Sequence, residues 1–158
     1  MSKINAFDLL MKGTRKSPTR GNFPTHKLMF DGGSRGNPGI CGCGYVIYEG
    51  GESVLLTGHK VVSNHNTSNF AEYMALILGL QEAVDKGIRE LYVEGDSMLV
   101  IKQVRNEWAV KSPNLIPLYK EVKELCNSFS NIKFEHVKRG NNKTADALVN
   151  IALDEIGN

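Results

Sequence analysis

The 158-residue chain has little of what marks several protein classes. It has three cysteines, an odd number, and Cys41 and Cys43 sit two apart on an expected strand, a geometry that suits no disulfide. The expected setting is therefore a reducing intracellular compartment, cytoplasmic or nuclear, with an organelle left open. No second Cys/His pair lies near them at zinc-ligand spacing, which argues against a zinc site. No apolar run approaches the roughly 18–20 residues of a bilayer span, so no membrane association is expected. Net charge of one sign is scarce as well, at +2 overall. With 41% hydrophobic and 23% charged residues, the composition is that of one globular domain with a real core.

The charge is unevenly placed. Residues 1–27 hold Lys3, Lys12, Arg15, Lys16, Arg20 and Lys27 against Asp8 alone, while the remainder is acidic on balance. A basic, disordered arm over residues 1–26 is expected to precede a folded domain over residues 27–158. Such an arm either touches a polyanion or is an ordinary solvated tail. Within it, Ile4, Phe7, Leu10 and Met11 fall on one helical face, as in a short docking helix for a protein partner at Ile4–Met11.

From Lys27 onward the pattern is regular. Leu28–Asp31, Ile40–Tyr48 and Val54–Val62 read as three strands joined by short glycine-containing turns, an antiparallel meander. Asn69–Lys86 is a strong helix, with Phe70, Tyr73, Met74, Ile77 and Leu80 at helical spacing and Gly87 as its stop. Glu90–Asp96 is a strand running into a helix that starts near Ser97. Pro113 opens a helix over Asn114–Phe129, Ile132–Arg139 is a last strand, and Thr144–Glu155 a last helix. The expected fold class is α/β: a five-stranded mixed sheet, antiparallel in its first three strands and parallel in the other two, flanked by helices.

The stretch "FDGGSRGNPG" puts an aspartate at a strand tip beside bare backbone. Asp31 and Asp96 end strands, Asp146 begins the last helix, and Glu72 falls in the first turn of the long helix. In a mixed sheet such positions converge at one end. Four carboxylates in one pocket repel strongly at low dielectric, and divalent cations relieve that. Oxygen ligands without His or Cys suit Mg²⁺ or Mn²⁺. Taken singly, each acid also has an ordinary reading: a helix-dipole charge for Asp146 and Glu72, a turn residue for Asp31, a helix cap for Asp96.

Four pieces, "FDGGSRGNPG", "TSNFAEYMALILGL", "VEGDSMLVIKQV" and "HVKRGNNKTADALVNIAL", together resemble the type 1 ribonuclease H family, in order and spacing, from Lys27 to Glu155. The resemblance implies a ribonuclease H-like fold; nothing in the sequence argues for an oligomer, so a monomer is expected. It implies Asp31, Glu72, Asp96 and Asp146 as catalytic metal ligands, with two Mg²⁺ ions in the active complex and Mn²⁺ as a substitute. The implied activity is endonucleolytic hydrolysis of the RNA strand of RNA/DNA hybrids, leaving 5′-phosphate and 3′-hydroxyl ends. Gly33, Ser34, Arg35, Asn37 and Asn69 are the implied contacts near the scissile bond. Asn37 and Asn69 also read as a turn residue and a helix cap.

Two family features are missing. No histidine lies between His136 and Asp146, and Arg139 stands where shorter-loop, archaeal-like members carry an arginine. The basic protrusion of some bacterial members is also absent. Lys102, Arg105, Lys111 and Trp108 are the candidates to follow the DNA strand instead, although Trp108 also reads as core filling. Other classes fit less well. A DNA-junction or duplex-RNA nuclease does not need 2′-hydroxyl sensing, a pure binding module gains nothing from clustered acids, and a glycosidase does not need the glycine loop.

Overall fold

The computed structural model describes residues 25–157. The expected Ile4–Met11 helix and all of the expected arm except Thr25 and His26 lie outside the described residues. The strands are β1 (His26–Arg35), β2 (Gly39–Glu49), β3 (Ser53–Asn66), β4 (Glu90–Gly95) and β5 (Asn131–His136). The helices are α1 (Ser68–Asp85), α2 (Met98–Val104), α3 (Ile116–Cys126) and α4 (Lys143–Gly157), with a short 3-10 turn at Arg139–Asn141. The sheet runs in the order β3-β2-β1-β4-β5. The pairs among β1, β2 and β3 are antiparallel, and the β1–β4 and β4–β5 pairs are parallel, as the pattern predicts.

Several boundaries differ from expectation, each for a physical reason. β1 does not stop at Asp31. It continues through Gly32, Gly33 and Ser34 to Arg35, because all of them pair with β2 down to Arg35 opposite Ile40. Local turn chemistry yields here to a tertiary ladder. Thr67, not Asn69, caps α1: its side chain accepts from the Phe70 amide at 3.1 Å. Glu72 consequently falls in the second turn of α1, beyond the reach of the dipole reading. α3 starts at Ile116 with Pro117 in its first turn, so Pro113 lies outside it, in the loop before the helix.

β1 is central, hydrogen-bonded to β2 on one side and β4 on the other. That explains the unbroken apolar run Leu28, Met29, Phe30, all buried. On one face α1, α2 and α3 cover the main core, which includes Leu28, Phe30, Ile47, Tyr73, Leu76, Leu80, Val93 and Ile101. On the other face α4 crosses β1, β2 and β3.

The segment "GICGCG" in β2 serves both faces by strict alternation. The Cys43 thiol contacts the Ala71 carbonyl of α1 at 3.3 Å. Gly44 points the opposite way, where a Cβ would stand 2.4 Å from the Ala145 carbonyl oxygen of α4. The C-x-C pair is thus core packing. Burial pushes both thiols above their ordinary pKa, so neither is poised as a thiolate.

Gly32 on β1 sets a close approach of the same kind toward α1. A Cβ there would lie 2.3 Å from the Ala71 carbonyl carbon and oxygen and 2.5 Å from the Glu72 amide. Gly32→Ala is expected to push α1 off the sheet and cost about 1–3 kcal/mol. Urea denaturation of the variant would read this directly; wild-type stability would show that α1 adjusts freely.

Candidate active site

Parallel pairing of β1 with β4 ends at Phe30 opposite Gly95. The next residue on each strand is an acid, so Asp31 and Asp96 stand side by side at the same sheet end. Glu72 reaches them from α1. One carboxylate oxygen from each of the three lies within 4.8 Å of the other two. A single backbone amide ties two of them together: Gly32 N–H donates to Asp31 Oδ1 at 3.0 Å and to Glu72 Oε1 at 3.1 Å. Asp146, in the first turn of α4, stands outside that group of three. Its carboxyl still acts on Asp31, raising that group's pKa.

Asp31 and Glu72 are 7% and 9% exposed, nearly dry for carboxylates. Burial, the Asp96 charge and the neighbouring Asp146 carboxyl together push Asp31 up to about 7. Burial, then the charges of Asp31 and Asp96, holds Glu72 well above the usual carboxylate range. No lysine or arginine compensates them among the described ion pairs. The dipole and capping readings do not account for such a cluster: Ser97 caps α2, accepting from the Val100 amide at 3.2 Å, which leaves Asp96 free of that duty. Compressed, oxygen-only and short of counter-charge, the donor set fits a hard divalent cation.

The other expected contacts have surroundings of their own. Gly33 follows Gly32, and a Cβ on it would meet Val149 at 3.3 Å. Ser34 Oγ donates to the Gly36 and Asn66 carbonyls. Arg35 is ion-paired with Asp154 of α4 at 2.6 Å. Asn37 Oδ1 accepts from the Ser68 amide at 3.1 Å, helping to seat the start of α1. Asn69 is exposed and caps nothing. Arg139 is exposed at the start of the 3-10 turn. Trp108 is 48% exposed, so it is not core filling. Lys102 and Arg105 both pair with Glu107, whereas Lys111 enters no ion pair among the described residues.

A family profile described as reverse transcriptase-like matches residues 29–152. The RNase H1 of the halophilic archaeon Halobacterium salinarum superposes with a TM-score of 0.79 at 38% identity, covering 82% of this chain and 98% of that one. The chain belongs to the ribonuclease H1 family. LC11-RNase H1, solved in complex with an RNA/DNA hybrid, matches at TM-score 0.80 and 32% identity, over 84% of this chain and 99% of that one. A bifunctional protein of Mycobacterium tuberculosis is 44% identical over 124 residues, 78% of this chain. This chain spans 34% of that relative's length.

In this ribonuclease H domain the structure adds a residue that sequence reasoning missed. Asn142 directly precedes α4, and its carbonyl accepts from the Asp146 amide at 3.1 Å. Its side chain, however, is 1% exposed and turned inward. Asn142 Nδ2 donates to the Phe30 carbonyl at 2.9 Å and to Asp96 Oδ2 at 3.1 Å. Both partners are acceptors, so the amide orientation is settled. Asn142 Oδ1 is buried with no partner among the described residues. Asn142 thereby clips the start of α4 to the ends of both central strands. No local signal announces it, since its partners lie far away in the chain.

The raised acids set a pH dependence. Between the ordinary value of 3.8 and about 7, folded metal-free protein keeps a proton on Asp31 that the unfolded chain has released. Stability is therefore greatest at the acid end of this window and falls as pH rises through it, by on the order of 3 kcal/mol. Divalent metal needs the deprotonated acids, so its affinity rises across the same window. Asp96→Asn removes one repelling charge and still offers an oxygen to Asn142. It is expected to flatten the pH profile and raise metal-free stability at pH 8. Urea melts in chelator across pH test this; a loss of stability in the variant would assign Asp96 a structural role.

Proposed function

We propose that this domain is an endonuclease that hydrolyses the RNA strand of RNA/DNA hybrids, leaving 5′-phosphate and 3′-hydroxyl ends. The observation that carries the reading is the group of Asp31, Glu72 and Asp96, one carboxylate oxygen of each within 4.8 Å of the other two at the end of the two central strands. Two Mg²⁺ ions in the active complex, with Mn²⁺ as substitute, would supply charge for activating water and for stabilising the leaving 3′ oxygen. Asp31, Glu72, Asp96 and Asp146 would hold them.

The chain's own residues do the rest. Gly32 N–H fixes the orientation of the Asp31 and Glu72 carboxylates before substrate arrives. Gly33, Ser34 and Arg35, on the part of β1 beyond its pairing with β4, face the RNA strand, and Asn37 and Asn69 reach the minor groove where 2′-hydroxyls mark RNA. Trp108 and Lys111 meet the DNA strand, the tryptophan through stacking on a sugar or base. Arg139 stands in place of a loop histidine. The basic N-terminal stretch adds nonspecific phosphate contacts. The match to a family member solved on a hybrid supports this substrate class.

The test is cleavage of end-labelled RNA/DNA hybrid, duplex RNA and duplex DNA with Mg²⁺ or Mn²⁺, wild type against Asp31→Asn. Metal-dependent cuts confined to the RNA strand of the hybrid, and absent in the variant, are expected. No cleavage of any substrate with either metal would sink the nuclease reading in favour of a binding module.

A further inference from the structure

Between the start of α1 and the segment that follows α2 runs an open groove of about 620 Å³. Asn37 and Asn69 line one wall, Ala109, Lys111 and Asn114 the other, and Gln103 the floor between them. The second wall belongs to residues 105–115, which join α2 to α3 without helix or strand. Such a segment has no ladder of its own to hold it in place.

It is nevertheless held: the Glu107 and Trp108 amides bond the Lys102 carbonyl of α2, Arg105 and Glu107 are ion-paired, and three side-chain amides add pins along its length. At its start, Asn106 adopts φ 63° and accepts from Tyr119 Oη at 2.6 Å. At its end, Asn114 Nδ2 donates to Asn66 Oδ1 at 2.9 Å. In the middle, Gln103 Nε2 donates to the Ala109 carbonyl at 3.1 Å. Only the middle pin reaches into the core. Gln103 is 5% exposed, and its Oε1 accepts from Tyr73 Oη at 2.7 Å. Tyr73 is fully buried and follows Glu72 on α1. Burial raises its hydroxyl pKa, which keeps that hydroxyl a donor. The Ala109 carbonyl can only accept, so the amide orientation of Gln103 is fixed.

We propose that Gln103 is a positioning residue for substrate: through Tyr73 and Ala109 it locks the segment carrying Trp108 to the helix that carries Glu72. A buried side-chain amide is costly unless both ends are bonded. Here one end is bonded to the metal-binding side of the molecule and the other to the residue after Trp108. The half-exposed indole is thereby held at a set distance from the acids, so stacking on the DNA strand registers the RNA strand over them. This inference rests on Trp108 being a substrate contact.

The experiment uses the full chain, whose sole tryptophan is Trp108. Gln103→Met keeps the length and bulk but strands Tyr73 Oη and the Ala109 carbonyl. In free protein, acrylamide quenching of Trp108 fluorescence is expected to increase. In steady-state cleavage, KM for the hybrid is expected to rise about three- to tenfold, the worth of one hydrogen bond, with kcat retained. If Gln103→Met does not fold, Gln103→Glu serves in its place: it keeps the acceptor for Tyr73 and loses only the donor to Ala109. Unchanged quenching and KM in a folded variant would overturn the proposal. So would a fall in kcat with KM unmoved, the sign of damage at the acids themselves. Trp108→Ala is run alongside; an unchanged KM there overturns the substrate-contact reading of Trp108, while quenching in the free Gln103 variant still decides whether Gln103 holds the segment.

Discussion

One amide proton holds this site together. Gly32 N–H lies between the carboxylates of Asp31 and Glu72, and it does so only because α1 presses its backbone onto β1 at a residue without a side chain. The strand brings Asp31, the helix brings Glu72, and their contact distance is set by backbone against backbone, the stiffest contact a fold offers. Pairing of β1 with β4 then puts Asp96 beside Asp31. Asn142 closes the arrangement by bonding both the Phe30 carbonyl and Asp96.

The cost of this arrangement falls on the metal-free protein. Buried like charges raise each other's pKa, and among the described ion pairs no lysine or arginine quiets them. A domain selected for stability alone would place apolar side chains there. Local conflict of this kind concentrates where function demands it. It is confined here to one sheet end, while the main core is packed by Leu, Ile, Val and aromatic residues.

On the proposed reading, the grip on nucleic acid beyond the acids would rest on compact devices. The chain lacks a basic protrusion, and two of the cations nearest Trp108 are spent on Glu107. The segment carrying Trp108 and Lys111 is short, bonded to α3, β3 and the core, and forms one wall of the groove whose other wall carries Asn37 and Asn69. On that reading, shape and fixed placement would do there what charge does elsewhere.

Element order, strand directions and the meeting of Asp31, Glu72 and Asp96 were legible in the sequence, because they rest on local signals: helical and alternating periodicity, glycine and proline punctuation, and carboxylates in a recognisable frame. The end of β1, the turn of α1 that carries Glu72 and the start of α3 were misjudged for one shared reason. Turn chemistry at Gly32–Gly33 and the position of Pro113 are local, whereas the ladder to β2 and the capping by Thr67 depend on what the fold brings alongside. Asn142 and Gln103 were invisible altogether. Asn142 bonds a carbonyl 112 residues away and Gln103 a hydroxyl 30 residues away. A lone Asn or Gln looks alike in a loop, on a surface or in a core, since its role is defined by partners that only the folded chain supplies.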